Sequence, residues 1–215
     1  MNFTIKSTLR GQGGFSLIEV LIAIVVLSFG LLGTVGLQAT ALQANRDARL
    51  QSAAMGLARE LAEMMRGNKD IALVTTNNPY DGDYSSPLTP TTASYCLKVS
   101  NTTTTTSANA CAGASAAITQ TNIANAQMTE WLTRLDQELP GARVVICDDI
   151  QPYNASGIPQ WACTAGAAAT KVVKIGWTRS STNSTLTGSN AFEKVSGANA
   201  AAPSIVLAVT PGNTL

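Results

Sequence analysis

Acid–base and nucleophilic chemistry near neutral pH leans on histidine, and this chain of 215 residues contains none. Every Ser/His and Cys/His nucleophile pair is excluded with it, and so is the commonest metal ligand. Carboxylates and thiols remain. Asp81 and Asp83 stand close together in "YDGDY", which hints at calcium. That ion takes about six to eight oxygens and no glutamate follows to supply two of them, so Asp-Gly is read as a turn. Asp148 and Asp149 end an apolar run without a recognisable acid or base partner and are read as surface charges. Trp131 and Trp177 fall at apolar-periodic positions and are read as core. No catalytic constellation, metal-ligand set or cofactor motif emerges, so the chain is expected to be non-enzymatic, with no cofactor and no metal.

The thiols are Cys96, Cys111, Cys147 and Cys163. None forms a C-x-x-C pair and no histidine completes a zinc site, whereas an even count at wide spacing fits disulfides in an oxidising compartment. All three pairings are open by sequence. Nearest neighbours, Cys96 with Cys111 and Cys147 with Cys163, would close two short loops, each stabilising by about 3 kcal/mol in the chain-entropy treatment. Charged residues make up 13% of the chain and the net charge is +1, so there is no basic field of the kind that holds nucleic acid.

One further acid stands in an unusual place. In "RGQGGFSLIEVLIAIVVLSFGLLGTVGLQ" the only charge from Phe15 to Leu37 is Glu19. As a helix this run spans about 35 Å, enough for a hydrocarbon core of about 30 Å. Lys6 and Arg10 precede it without an acid, which predicts a cytoplasmic N-terminus and everything beyond the span outside. A cleaved secretory signal is the competing expectation, since "ATA" at Ala39–Ala41 has the small residues of a signal-peptidase site. The apolar run is too long for a signal core, and an acid inside one is unusual. Gly30, Gly33 and Gly36 recur at intervals of three, which weakens the helix and lets another helix approach closely.

The helical pattern continues beyond the span. Leu50, Ala54, Leu57, Leu61 and Met64 or Met65 form a stripe that ends at "MRGNKD", where Gly67 and Asn68 are capping residues. "TTNNPYDGDYSSPLTPTTAS" is expected to be a turn-rich loop, "SYCLKVS" alternates like a strand, and "NTTTTTSANACAGAS" is low-complexity. A second helix is predicted from Asn122 to Leu139, stopped by Pro140 and Gly141. Strands are predicted in "ARVVICDD", "TKVVKIGWTR" and "SIVLAVT". Their connections are too short for crossover helices, so the sheet should be antiparallel. The expected fold class is α+β: a long N-terminal helix laid against a small antiparallel sheet.

"GGFSLIEVLIAIVVLSFGLLGTVGLQ" resembles the type IV prepilin N-terminus, with its basic leader ending in glycine, a Phe, and an acid four residues later inside an apolar helix. "SFGLLGTVGLQ", "LARELAEMMRGN", "WLTRLDQELPGA" and "VKIGWTR" further resemble the PilV family of minor pilins. That resemblance is strong over about the first third of the chain and weaker beyond. It implies that a prepilin peptidase cuts between Gly14 and Phe15 and methylates the new amine of Phe15. Residues 1–14 are then a removed leader, 15–37 the transmembrane half of the helix, and 38–215 a periplasmic pilin head. The implied partners are the peptidase, other minor pilins, the major pilin and the inner-membrane assembly platform. Before assembly the protein would be a single-pass inner-membrane protein, and afterwards part of a pilus, with Glu19 setting register against a neighbouring amine. A minor pseudopilin of a type II secretion system and a periplasmic binding module released after "ATA" are the alternatives.

Overall fold

The computed structural model of the chain describes residues 14–88, 119–181, 185, 187–197 and 200–212. The chain divides into two units, Met1–Arg46 and Asp47–Leu215, each treated by itself below. Helix α1 runs over Leu17–Gly67 and so contributes to both.

In the first unit the apolar side chains from Phe15 to Leu42 are exposed, including Phe15, Leu17, Phe29, Leu32 and Leu37. The most apolar 18-residue window of α1 has a mean hydropathy of 2.6 and buries none of its residues within the chain. That combination suits a helix whose solvent is hydrocarbon. The hydroxyls along it bond to their own helix: Ser28 Oγ donates to the carbonyl of Ile24 at 2.7 Å, Thr34 Oγ1 to that of Leu31 at 2.8 Å, and Thr40 Oγ1 to that of Leu37 at 2.9 Å. No polar hydrogen in these three side chains needs water, as a lipid surrounding requires.

The second unit is built on the amphipathic part of α1. Ala54, Leu57, Ala58, Leu61, Ala62 and Met65 are buried, which matches the stripe predicted from spacings of three and four. They pack in one core with Ala124, Met128, Trp131, Leu132 and Leu135 of α3, Gln120–Glu138. Two bonds fix the helix pair. The Trp131 Nε1–H donates to the carbonyl of Leu57 at 2.9 Å, and Arg134 grips the Glu60 carboxylate with both terminal nitrogens. Thr119 caps α3 by accepting from the Asn122 N–H at 3.2 Å. The helix stops before Pro140, and Gly141 takes a positive φ of 58°, where a Cβ would lie 2.5 Å from Thr178 Oγ1. After α1 a single turn, α2, covers Lys69–Ala72.

The sheet is antiparallel throughout, in the order β1-β2-β3-β6. Its strands are β1 Gly82–Ser85, β2 Arg143–Asp149, β3 Thr170–Gly176 and β6 Ile205–Val209. A second, two-stranded sheet pairs β4, Arg179–Ser180, with β5, Phe192–Glu193, which follows a short 3-10 turn at Gly188–Ala191. Val144 pairs with Ile175 and Ile146 with Val173, and these four join the helices in the main core. Side chains alternate along a strand, so Val145, Cys147, Val172 and Lys174 point to the other face. Val145 and Val172 are buried too, outside the main core. Trp161 and Val195 cover that face: a Cβ on Gly176 would meet Val195 at 2.8 Å and Trp161 at 3.0 Å. Burial on both faces explains why β2 and β3 read as nearly continuous apolar runs rather than clean alternation.

Two expectations change. "GDYS", read as part of a loop, is strand β1, paired from Gly82↔Ile146 to Ser85↔Arg143. The strand predicted up to Arg179 ends at Gly176, because Trp177 is buried and the Thr178 N–H is taken by the Pro140 carbonyl at 2.8 Å. The segment "SYCLKVS" and the residues Cys96 and Cys111 lie outside the described residues.

Candidate functional site

The N-terminal site is a strip on α1. Phe15, Glu19, Val20, Ala23, Ile24 and Leu27 line a shallow concavity on one side of the helix, at the spacings of three and four that place residues on one face. The carboxylate is therefore set among apolar side chains rather than opposite them. It lies in the first turn, where the unpaired N–H groups favour a negative charge. The N–H groups of Glu19 and Val20 donate to the carbonyl of Ser16 at 3.0 and 3.3 Å, so the helix is already wound where the acid stands. Gly14 and Phe15 precede the helix, outside any helix or strand. Gly14 has nothing within 4 Å of where a Cβ would be.

A second concentration of polar chemistry lies in the sheet. Cys147 and Cys163 form a disulfide, at a sequence separation of 16. Their sulfurs are bonded to each other, and the nearby Asp149 carboxylate is already occupied. Its Oδ2 accepts from Lys174 Nζ at 2.6 Å, and its Oδ1 from the N–H groups of Gln151 and Thr164 at 2.8 and 3.0 Å. Burial pushes the Asp149 carboxyl up, but the lysine and the two N–H groups outweigh it and hold the carboxyl below its usual range. Lys174, fully buried, spends another hydrogen on the Ala162 carbonyl at 2.6 Å. This corrects the expectation of two surface charges: Asp149 is 3% exposed.

Adjacent residues in a strand face opposite ways, and Asp148 goes with the other lysine. Lys171 Nζ lies 2.8 Å from both Asp81 oxygens and 3.0 Å from Asp148. Burial raises the Asp81 carboxyl, the lysine opposes that rise, and the Asp148 charge adds to it. Asp83 holds Arg143 through two bonds at 2.7 and 3.0 Å, and the Arg143 guanidinium stacks over Trp161 at 4.6 Å. The acids first considered for calcium thus serve as tethers for β1. Trp131 and Trp177 are core, as expected. Trp161, not singled out by sequence, anchors the cover of the second sheet face and donates Nε1–H to the Ala201 carbonyl at 2.7 Å. The signal for this layer was present in "TKVVKIGW", where Lys174 interrupts an apolar run and requires a counter-charge.

Residues 9–35 match the prokaryotic N-terminal methylation motif, a type IV prepilin-like signature. The match spans the leader glycines, Phe15, Glu19 and most of the exposed apolar helix, and the motif indicates a type IV pilin-like or pseudopilin-like protein. No curated protein and no solved structure matches the chain.

Proposed function

We propose that this chain is a non-catalytic minor pilin of the PilV type, acting in assembly or initiation of a type IV pilus. The observation that carries the proposal is the coincidence of the methylation motif at residues 9–35 with an exposed apolar helix that bears a lone acid in its first turn. The α+β layout of α1, α3 and the four-stranded antiparallel sheet accords with it.

In this scheme the leader is cut between Gly14 and Phe15 by a prepilin peptidase on the cytoplasmic side, and the new amine of Phe15 is methylated. Glycine suits the cleavage position because a missing side chain lets the enzyme approach the backbone closely. Unlike a secretory signal, the cut falls before the apolar run, so the anchor stays in the mature protein. The helix holds the chain in the inner membrane with the second unit in the periplasm, where the Cys147–Cys163 disulfide is at home. The partners are the peptidase, the assembly platform, the major pilin and other minor pilins.

N-terminal sequencing and mass analysis of the mature protein test the scheme. The expected first residue is Phe15 carrying an N-methyl group. A chain beginning at Leu42 would show a secreted module instead. Deletion of the gene separates a pilin from a secretion pseudopilin, because only the former should cost the cell its pili while secretion continues.

A further inference from the structure

Four Asn-x-Ser/Thr triplets occur in the chain, beginning at Asn2, Asn101, Asn154 and Asn183. Only Asn154-Ala155-Ser156 lies wholly among the described residues. It forms the tip of a turn in which Asn154, Ala155, Ser156 and Gly157 are all exposed. Tyr153 and Pro159 close the turn as an isolated antiparallel bridge. The Asn154 N–H donates to the Ile158 carbonyl and the Gly157 N–H to the Asn154 carbonyl, both at 2.9 Å. Gly157 takes the positive φ of 75° that the reversal needs. The side chains leave one nitrogen free. Asn154 Oδ1 accepts from the N–H groups of Ser156 and Ile158, both at 2.9 Å. Both partners are donors, so the oxygen is the atom turned into the loop and Nδ2 is the atom left outside it. Among the described residues neither Asn154 Nδ2 nor Ser156 Oγ makes a hydrogen bond. The two bonds to the amide oxygen also polarise the group, which eases loss of a proton from Nδ2.

We propose that Asn154 is an acceptor for an N-linked glycan, delivered from an isoprenoid diphosphate-linked saccharide by a separate transferase. An asparagine two residues before a serine, with a residue other than proline between them, is the acceptor pattern for that modification on exported surface loops. In the transfer Nδ2 attacks the anomeric carbon of the saccharide. A C–N bond forms there, the C–O bond to the diphosphate breaks, and the diphosphate leaves with that electron pair and takes up the proton that Nδ2 loses. No oxidant or reductant is needed. The Ser156 hydroxyl is the second group the transferase reads, and it stands exposed on the same turn. The proposal rests on the reading above in one respect, that the second unit lies outside the cytoplasm. That location selects a lipid-linked donor over a nucleotide-linked one, which is confined to the cytoplasm.

The test uses the full chain isolated from membranes of the cells that make it, digested with trypsin and weighed. No lysine or arginine stands between Arg143 and Lys171, so one peptide carries Asn154 together with Cys147 and Cys163. That peptide should be heavier by a saccharide, its disulfide intact, and the sugar should survive mild alkali, which removes a serine-linked glycan and spares an amide-linked one. Asn154→Asp keeps an oxygen for the two N–H groups but lacks the nitrogen, so it should retain the disulfide and lose the sugar completely. Ser156→Ala should lose it as well, and Ser156→Thr should keep it. A sugar-free peptide with an intact disulfide would overturn the proposal, as would a sugar that persists in Asn154→Asp or is released by alkali. Sugar on a peptide with free thiols would mark a cytoplasmic, nucleotide-linked donor and overturn the donor assigned here. Failure of the pilin reading shows separately, as a mature N-terminus other than methylated Phe15.

Discussion

Lys174 is fully buried with its charge because Asp149 meets it at 2.6 Å and two backbone N–H groups complete the carboxylate's shell. Removing one member of a buried pair leaves the other uncompensated, which typically costs about 3–5 kcal/mol. Asp149→Asn should therefore lower stability by about that amount at pH 7, read from urea unfolding of the purified chain in detergent. The pH dependence separates this acid from Asp81. The Asp149 carboxyl is held below its ordinary value in the fold, so its stabilisation is present above the unfolded carboxylate range and is lost as pH falls through the depressed value. The gap between wild type and Asp149→Asn should close below about pH 4. The Asp81 carboxyl is raised, mainly by burial, so the fold favours its protonated form, and its contribution declines as pH rises through the raised value. Relative to Asp81→Asn, the wild type should lose ground with rising pH. Gaps that move in the same direction for both variants would show the assignment to be wrong. Sequence reading could not sort these acids. "DD" identifies two charges, but only the register, Asp148↔Lys171 and Asp149↔Thr170, shows that they serve opposite faces of the sheet.

Among the elements, those with a period were legible. The stripe from Ala54 to Met65 and the spacing from Met128 to Leu135 arise from burial against one core, so apolar residues must recur with the helical repeat. β2, β3 and β6 announce themselves as β-branched runs for a similar reason. Two elements had no such signal. β1 is four residues long and contains Gly, Asp, Tyr and Ser. It is a strand because Asp81 and Asp83 are tied to Lys171 and Arg143, some 90 and 60 positions away in sequence. The cover of the second sheet face has no regular backbone at all. It is held by the disulfide, by Trp161 and by side-chain bonds to carbonyl groups, and no local pattern encodes such contacts. Replacing Cys147 and Cys163 together by alanine removes the closure of that segment. The pair should lose about 3 kcal/mol by the chain-entropy estimate for a loop of this size. Hydrogen exchange should show the 150–163 amides losing protection while those of β2 and β3 keep most of theirs. Equal loss in loop and strands would mean that the cover and the sheet open as one cooperative body.

At the scale of the molecule, the first unit makes sense only in company. Its apolar side chains are exposed along α1, and a lipid surrounding satisfies all of them except Glu19. A carboxylate in a membrane-spanning helix costs about 2.5–3.5 kcal/mol near the bilayer centre and less toward the interface. Among the described residues of the strip around it, every neighbour is apolar, so no counter-charge is supplied from within the helix face. In the proposed scheme the partner is the amine of Phe15 on an adjacent subunit, a group that exists only after the bond to Gly14 is cut. Processing would then create the cation that lets two helices settle side by side in register, and an uncut chain could not present it. Glu19→Ala should be cleaved at Gly14 and retained in membranes as well as the wild type, since it makes the helix more apolar. Its entry into filaments should fall at least about tenfold, because the amine is left without its acid in a low-dielectric contact. Glu19→Gln should share the defect, since it keeps the side chain's size and hydrogen bonding but not its charge. Immunoblots of sheared pili against whole membranes read both quantities. Normal incorporation of either variant would assign Glu19 to its own helix N-terminus, where a carboxylate is favoured by the exposed N–H groups alone.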